Sequence, residues 1–137
     1  NVPTAVLVDK TTNSFIFCDV GNKRIIRWPR KHGTTSGTIM IKNIDCFGLA
    51  QDQQGYLYVS DTEKHEIRRY ANGKYATGKV VAGGNGQGND LNQFNFPGHI
   101  FVDGEQSIYV SDWNNARTMK WIKGAYQGMI LRNRTGN

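Results

Sequence analysis

Carboxylates and imidazoles recur along this chain at regular intervals. Asp19, Asp61 and Asp112 lie 42 and 51 residues apart, and each ends a short run rich in apolar residues. Histidine occurs once in each interval, at His32, His65 and His99. These are the residue types of zinc sites and of general acid–base catalysis, but a zinc site needs three or four ligands that converge. Because the histidines occupy unmatched positions in the intervals, we expect ordinary surface side chains and predict no metal site.

The three aspartates have a simpler explanation than catalysis. Each stands at the end of a strand-like run, immediately before a turn, where a carboxylate can accept backbone N–H bonds and hold the turn in place. A catalytic residue would not need to recur in every interval. We therefore predict structural turn roles for Asp19, Asp61 and Asp112, with no catalytic residue and no cofactor.

The elements that position these residues are short strands separated by turns. β-Branched and aromatic residues dominate the runs, glycine, asparagine and aspartate dominate the breaks, and no window has the period of an amphipathic helix. The predicted strands cover residues 5–9, 15–18, 24–28 and 38–41; then 48–52, 56–60, 66–70 and 79–82; then 99–103, 107–111, 117–121 and 129–131. The pattern predicts one four-stranded antiparallel meander, repeated three times.

Apolar residues three apart in the third strand of each unit show how the sheets pack. Ile25 and Trp28 point to opposite faces of a strand, and so do Ile67 and Tyr70. Both faces of a sheet are then apolar, which suits a sheet between two neighbours, as in the blades of a β-propeller. The predicted fold is therefore all-β, with three propeller blades.

The segment between the second and third units is rich in glycine but does not have the sequence of a phosphate-binding loop. Residues 83–96 contain four glycines, yet neither phosphate-binding pattern is present and no helix follows. We expect this linker to carry the chain from an outer strand to the next inner strand. Phe94 and Phe96 would pack it against the sheets.

Composition sets wide limits on partners. The chain has 137 residues, a net charge of +6 and 38% hydrophobic residues, and no apolar run is long enough for a membrane-spanning helix. We therefore expect no membrane partner. One pair of cysteines does not define a disulfide framework, and we expect Cys18 and Cys46 to be buried free thiols. Residues 133–135 match the short N-glycosylation pattern.

The repeated runs resemble the NHL repeats of one β-propeller family. The resemblance rests on residues 57–61 with 67–70, 81–86 with 95–97, and 108–115 with Arg117. Lys64 and Thr118 depart from it, since asparagine and isoleucine stand at the matching places in other units. The resemblance implies one segment over 1–137, with blades at about 1–42, 43–84 and 95–135 and a Gly-rich linker over 83–96.

Propellers of this family usually have about six blades, so the chain resembles half of one. Three arrangements follow: a piece of a larger propeller, a homodimer that closes a six-bladed ring, or an open arc. The absence of an initial methionine and the abrupt end favour a fragment.

The resemblance implies a non-catalytic scaffold that binds a protein or small ligand through propeller loops. In this arrangement the loops that face the axis contain His99, Asn114 and Asn115. One alternative is an enzyme similar to the amidating lyases or the lactonases, the latter with a metal at the axis. Another is RNA binding through a basic face that contains Arg27, Arg69 and Lys120. The sequence indicates no compartment.

Overall fold

The computed structural model describes residues 4–132 and contains three four-stranded antiparallel sheets. Sheet 1 consists of β1 (Val6–Asp9), β2 (Ser14–Asp19), β3 (Arg24–Pro29) and β4 (Thr38–Lys42). Sheet 2 consists of β5 (Cys46–Gln51), β6 (Leu57–Asp61), β7 (Glu66–Ala71) and β8 (Lys74–Gly83). Sheet 3 consists of β9 (Pro97–Val102), β10 (Ile108–Asp112), β11 (Arg117–Trp121) and β12 (Met129–Leu131). The predicted all-β class and the three meanders are confirmed. Residues 133–135 lie outside the described part of the chain.

The turn between the second and third strands has a similar backbone conformation in all three sheets. In sheets 1 and 3 it is a short 3-10 turn, over Val20–Asn22 and Trp113–Asn115. The turn ends on a residue with a left-handed backbone, at Lys23, His65 and Ala116 in the three sheets, with φ of 49°, 53° and 48°. These equivalent residues place the three central hairpins in the same geometry.

The apolar core lies between the sheets, and the middle sheet is covered on both faces. Ile16 and Cys18 of sheet 1 pack against Leu57 and Val59 of sheet 2 in one cluster of buried side chains. Tyr58 and Ile67 of sheet 2 belong to a second buried cluster, together with Ile108, Val110, Met119 and Trp121 of sheet 3. Alternate residues of β6 therefore face opposite neighbours, as the apolar pattern predicts.

The outer faces of sheets 1 and 3 carry apolar residues with no covering sheet in the described part of the chain. Val6 is 67% exposed and Phe101 is 64% exposed. Val8, Phe15, Met129 and Leu131 are also exposed on these faces. In sheet 2, by contrast, neighbouring sheets cover both faces. That a second copy covers the outer faces of sheets 1 and 3 and closes a six-bladed ring stays a prediction. The molecular mass of the chain in solution tests it, because a closed ring requires a dimer.

The expectation of free thiols is wrong, because Cys18 and Cys46 form a disulfide. The two residues are not equivalent in the repeat, since Cys18 lies near the end of β2 and Cys46 begins β5. Sequence spacing did not indicate that these strands of neighbouring sheets bring the two Cα atoms to 5.5 Å, within the usual range for a disulfide. The bond ties sheet 1 to sheet 2.

A buried polar network joins sheets 2 and 3 at the end where their first hairpins turn. Asp52 Oδ2 accepts hydrogen bonds from Tyr58 Oη at 2.9 Å and from Gln106 Nε2 at 2.8 Å. Asp52 Oδ1 accepts two more from the backbone N–H groups of Gln54 and Tyr56. The carboxylate thus has four donors, and the network closes this end of the interface.

This network predicts a loss of stability at high pH. Burial, with the Asp52 carboxylate beside it, raises the pKa of Tyr58 from its ordinary value of 10.0 to about 12. A group whose pKa is higher in the folded state stabilises the fold below its unfolded pKa, and this contribution is lost as pH rises toward the folded value. The free energy of unfolding should therefore fall more steeply between pH 10 and about 12 for the wild type than for Tyr58→Phe. Urea titrations across this range measure both slopes, and equal slopes would contradict the assignment.

Candidate functional site

Two β-bulges shape the edge where the inner strands β5 and β9 begin. In sheet 2 the pairing moves from Cys46–Asp61 to Leu49–Val59, so Phe47 and Gly48 together oppose Ser60. In sheet 3 an equivalent shift leaves Gly98 and His99 opposite Ser111. A bulge bends its strand and changes the direction of the bulged side chains. The repeated bulge therefore turns Phe47 and His99 away from the regular alternation.

Ser60 joins the two bulges across the interface between sheets 2 and 3. Its Oγ accepts a hydrogen bond from the Gly48 N–H at 2.7 Å and donates one to the Gly98 carbonyl at 2.8 Å. The strands approach so closely here that a Cβ on Gly48 would lie 2.4 Å from the Gly98 oxygen. Glycine at position 48 is therefore required for this contact.

Four rings meet beside the bulges and form what we call the aromatic surface: Phe47, Phe96, His99 and Trp113. The Phe47 ring centroid lies 4.8 Å from Trp113 and 5.2 Å from His99, both in edge-to-face arrangements. The Phe96 ring lies 5.9 Å from Trp113. Trp113 is 49% exposed and His99 is also exposed, whereas the two phenylalanines are half-buried. The cluster thus presents aromatic area to solvent on a packed base.

The backbone at Phe96 is held in an unusual conformation beneath this surface. Its φ of 63° lies in the left-handed region, which bulky residues rarely adopt. The Phe96 N–H donates to His65 Nδ1 at 3.1 Å, and its carbonyl accepts from the Trp113 N–H at 3.2 Å. Strained residues cluster at functional sites, where surrounding contacts hold them in place. Here the contacts fix the loop that carries Phe96 against the turn that carries Trp113.

A buried ion pair supports the aromatic surface from below. Asp112 Oδ2 accepts a hydrogen bond from Arg117 Nε at 2.7 Å, and the two side chains are 0% and 9% exposed. The remaining guanidinium nitrogens donate to the carbonyls of Asn89, Asp90 and Gln93 in the Gly-rich linker. Asp112 Oδ1 accepts the Asn95 N–H at 2.8 Å. Arg117 and Asp112 therefore connect β10, β11 and the linker in one network.

The three sequence-predicted ligand residues occupy different environments. His99 belongs to the aromatic surface. Asn114 is exposed beside it and donates from Nδ2 to Asn95 Oδ1 at 3.0 Å. Asn115 instead donates to Asp112 Oδ2 and to the Gly88 carbonyl, so its amide supports the turn and the linker.

Sequence reasoning missed three members of the aromatic surface, namely Phe47, Phe96 and Trp113. Phe96 was expected only to pack the linker down, and Phe47 lies in a bulge that apolar alternation does not reveal. One signal was available. Trp113 directly follows the strand-ending Asp112, where the other units have Val20 and Thr62. The turn itself does not need an aromatic residue at this position, because valine and threonine occupy it in the other two sheets.

The repeated aspartates all bond within their own turns, but with different partners. Asp19 accepts hydrogen bonds from Asn22 and Arg24, and the Arg24 contact lowers its pKa. Among the described residues, Asp61 has two donors, the backbone N–H groups of Glu63 and Lys64, which both bond to Oδ1. Sheet 2 has Glu66 where the other sheets have arginine. Burial, with Glu66 as a further cause, raises the pKa of Asp61.

The three basic residues proposed for a nucleic-acid face each lie over a tyrosine ring. Arg27 lies 5.5 Å from the Tyr75 ring, Arg69 4.6 Å from Tyr56, and Lys120 5.6 Å from Tyr109. Such contacts cover apolar surface with the side-chain stems while the charged ends stay near water. RNA binding through these residues stays a prediction.

No group of three or more histidine, cysteine, aspartate or glutamate side chains within residues 4–132 is arranged to hold a metal ion. His65 packs under the aromatic surface as a hydrogen-bond acceptor, while His32 is exposed in the turn before β4. Over the same residues, no helix has the length and apolar character to cross a membrane.

Comparisons with known proteins identify the architecture. No protein-family model and no curated protein sequence matches the chain. Among solved structures, a gluconolactonase from Xanthomonas campestris is similar with a TM-score of 0.76 and 12% identity, over 96% of this chain and 47% of that one. A streptogramin B lyase matches with a TM-score of 0.69 and 12% identity, over 97% of this chain and 41% of the other.

A structure of a nidogen/laminin complex matches with a TM-score of 0.72 and 17% identity, over 93% of this chain and 45% of the other. The chain therefore spans less than half the length of each of these structures. At such identities the similarity shows the fold alone. The three sheets are blades of a β-propeller.

Proposed function

We propose that this chain is an NHL-type propeller segment that binds a ligand or a protein without catalysis, and that the aromatic surface is its binding site. One observation carries the proposal: the bulges of two adjacent blades bring Phe47, His99 and Trp113 together, with Trp113 49% exposed. The NHL assignment rests on the sequence motifs. The binding role rests on this geometry.

Several physical properties of the aromatic surface support binding. Trp and Tyr supply a large contact area and often dominate binding energy, especially where a rigid framework holds them. The Ser60 contacts and the Asp112–Arg117 pair provide such a framework. Asn114 adds an exposed amide beside the rings, which can orient a polar partner. The compared propellers include two enzymes and a nidogen from a complex with laminin, and the last of these accords with a binding role.

A binding screen with matched variants tests this proposal. The purified chain is applied to arrays of glycans, peptides and small molecules, and each binder is measured again with Trp113→Ala and with Tyr126→Ala. Tyr126 is 76% exposed in the turn before β12 and is not part of the aromatic surface, so it controls for loss of an exposed ring. We expect Trp113→Ala to weaken binding about ten-fold or more, as for a central interface residue, and Tyr126→Ala to leave it unchanged.

The screen also has outcomes that would overturn the proposal. Binders that keep their affinity for Trp113→Ala would place the site elsewhere on the chain. Since Trp113 packs on Gly98, the variant is first checked for folding by circular dichroism and thermal unfolding. His99→Ala provides a second variant, because its ring is exposed and no hydrogen bond of the described residues depends on it.

A further inference from the structure

Sheets 2 and 3 differ just after their third strands, where a tyrosine in one corresponds to an alanine in the other. A Cβ on Gly78 would lie 2.6 Å from the Tyr70 ring, and a Cβ on Gly128 would lie 2.6 Å from the Trp121 ring. Tyr70 and Trp121 occupy the same repeat position, so the two glycines are equivalent. Counting back three residues from each glycine aligns Tyr75 of sheet 2 with Ala125 of sheet 3.

Tyr75 fills the interface between sheets 1 and 2. Its hydroxyl accepts a hydrogen bond from Arg27 Nη2 at 3.1 Å, and the guanidinium lies over its ring. The same Arg27 nitrogen is 3.5 Å from Asp9 Oδ2. At this interface, therefore, an aromatic ring covers the arginine and a carboxylate balances its charge.

At the interface between sheets 2 and 3, the alanine leaves space open. A cavity of about 280 Å³ lies there, with Ala125 and the equivalent arginine, Arg69, in its lining. Arg69 lies over the ring of Tyr56, 4.6 Å from its centroid, and not over a ring at the position that Tyr75 occupies. Tyr58 and Ile108 line it from the interior, and its apolar walls also include Val80, Val81 and Ile122. The cavity is at the end where the first hairpins turn, so it is separate from the aromatic surface.

Three positive charges surround this cavity: Arg69, Lys79 and Lys123. None of the ion pairs between described residues includes any of the three. Asp52, the carboxylate of the buried polar network, does not line the cavity and already accepts four hydrogen bonds, two of them from the lining residues Tyr58 and Gln106. The cavity therefore combines apolar walls with an excess of positive charge.

We propose that this cavity binds a small aromatic carboxylate, whose ring takes the place that Tyr75 fills at the other interface. The volume is just below the usual range for drug-sized ligands and suits a single ring. A carboxylate at the rim can accept charge-assisted hydrogen bonds from Arg69, in bidentate geometry, or from either lysine. The apolar walls contact the ring, and the cations select the anionic head group.

Titration of the full chain with phenylacetate tests the proposal by NMR. The Trp121 indole N–H donates to the Ala125 carbonyl at 2.9 Å and so reports on the cavity wall. We expect this resonance to shift with a Kd of about 1 mM, typical of a fragment of this size. Phenylethanol, which has the ring without the carboxylate, should bind about ten-fold more weakly. The Trp113 indole should not move, which separates this site from the proposed binding surface.

Two variants decide the outcome. Ala125→Tyr rebuilds the sheet 1–2 arrangement and should abolish the Trp121 shift, because its ring occupies the cavity. Arg69→Met keeps an apolar stem without the charge and should weaken phenylacetate binding about ten-fold, with little effect on phenylethanol. The proposal is overturned if phenylacetate causes no shift, if Ala125→Tyr binds it as the wild type does, or if phenylethanol binds equally well. Lys123→Gln, at an exposed position, serves as the charge variant should Arg69→Met fail to fold.

Discussion

Replacing Asp112 by asparagine is expected to destabilise the chain by about 3–5 kcal/mol, the usual cost of removing one partner from a buried ion pair. The substitution keeps the shape of the side chain but leaves the Arg117 guanidinium buried without a counter-charge. The Gly-rich linker should also loosen, because Arg117 donates hydrogen bonds to three of its carbonyls. Urea unfolding measures the free energy, and hydrogen exchange over residues 83–96 measures the loosening of the linker.

Asp61→Asn is the matched control, because it changes the same repeat position where no arginine is present. The amide oxygen can still accept the Glu63 and Lys64 N–H groups, while the buried charge beside Glu66 is removed. The raised pKa of Asp61 means that its charge costs stability at neutral pH and that this cost falls as pH falls. We expect Asp61→Asn to be neutral or stabilising at pH 7. Equal losses for the two variants would show that the ion pair has no special role.

The double substitution Cys18→Ala with Cys46→Ala is expected to cost about 3–4 kcal/mol, from the chain entropy that the disulfide removes from the unfolded state. The bond closes a loop between residues 28 positions apart and joins two sheets. Both side chains are almost fully buried, so alanine avoids placing a hydroxyl in the core. Urea unfolding of the variant, and of the wild type with and without reductant, gives the measurement.

Reduction of the wild type controls for the loss of packing that alanine causes. The reduced wild type should lose most of the stability that the double variant loses, because both lack the covalent link. If reductant leaves the free energy of unfolding unchanged, the link contributes no stability and the loss in the variant comes from packing alone.

The fold could be predicted from the sequence because several independent signals indicate the same repeat unit. Apolar alternation, turn residues and the spacing of Asp19, Asp61 and Asp112 all indicate the same four-stranded unit, and the structure contains three of them. Strand boundaries were less accurate where the inner strands begin. Residues 46–47 and 97–98 extend β5 and β9 beyond the predicted runs, since a bulge interrupts the alternation that reveals a strand.

The candidate site was only partly predictable, since it is made by contacts between repeats. The sequence predicts His99 and Asn114 as candidate ligand residues from their places near the start of an inner strand and in a turn. Phe47 and Trp113 are 66 residues apart in the chain and meet only when two blades pack together. The disulfide was missed for the same reason. Periodicity within one repeat does not show which side chains of two different repeats will face each other.

The most direct test of the binding site is an NMR map of the first ligand that the screen identifies. The three tryptophans give three indole N–H resonances, from Trp28, Trp113 and Trp121, assigned by single substitutions to phenylalanine. For a ligand on the aromatic surface, we predict that the Trp113 indole and the His99 ring shift on binding, while the buried Trp121 indole does not. A ligand that saturates the chain and leaves the Trp113, His99 and Trp121 resonances all unchanged would contradict this prediction, whereas a ligand that moves Trp121 alone occupies the cavity between sheets 2 and 3.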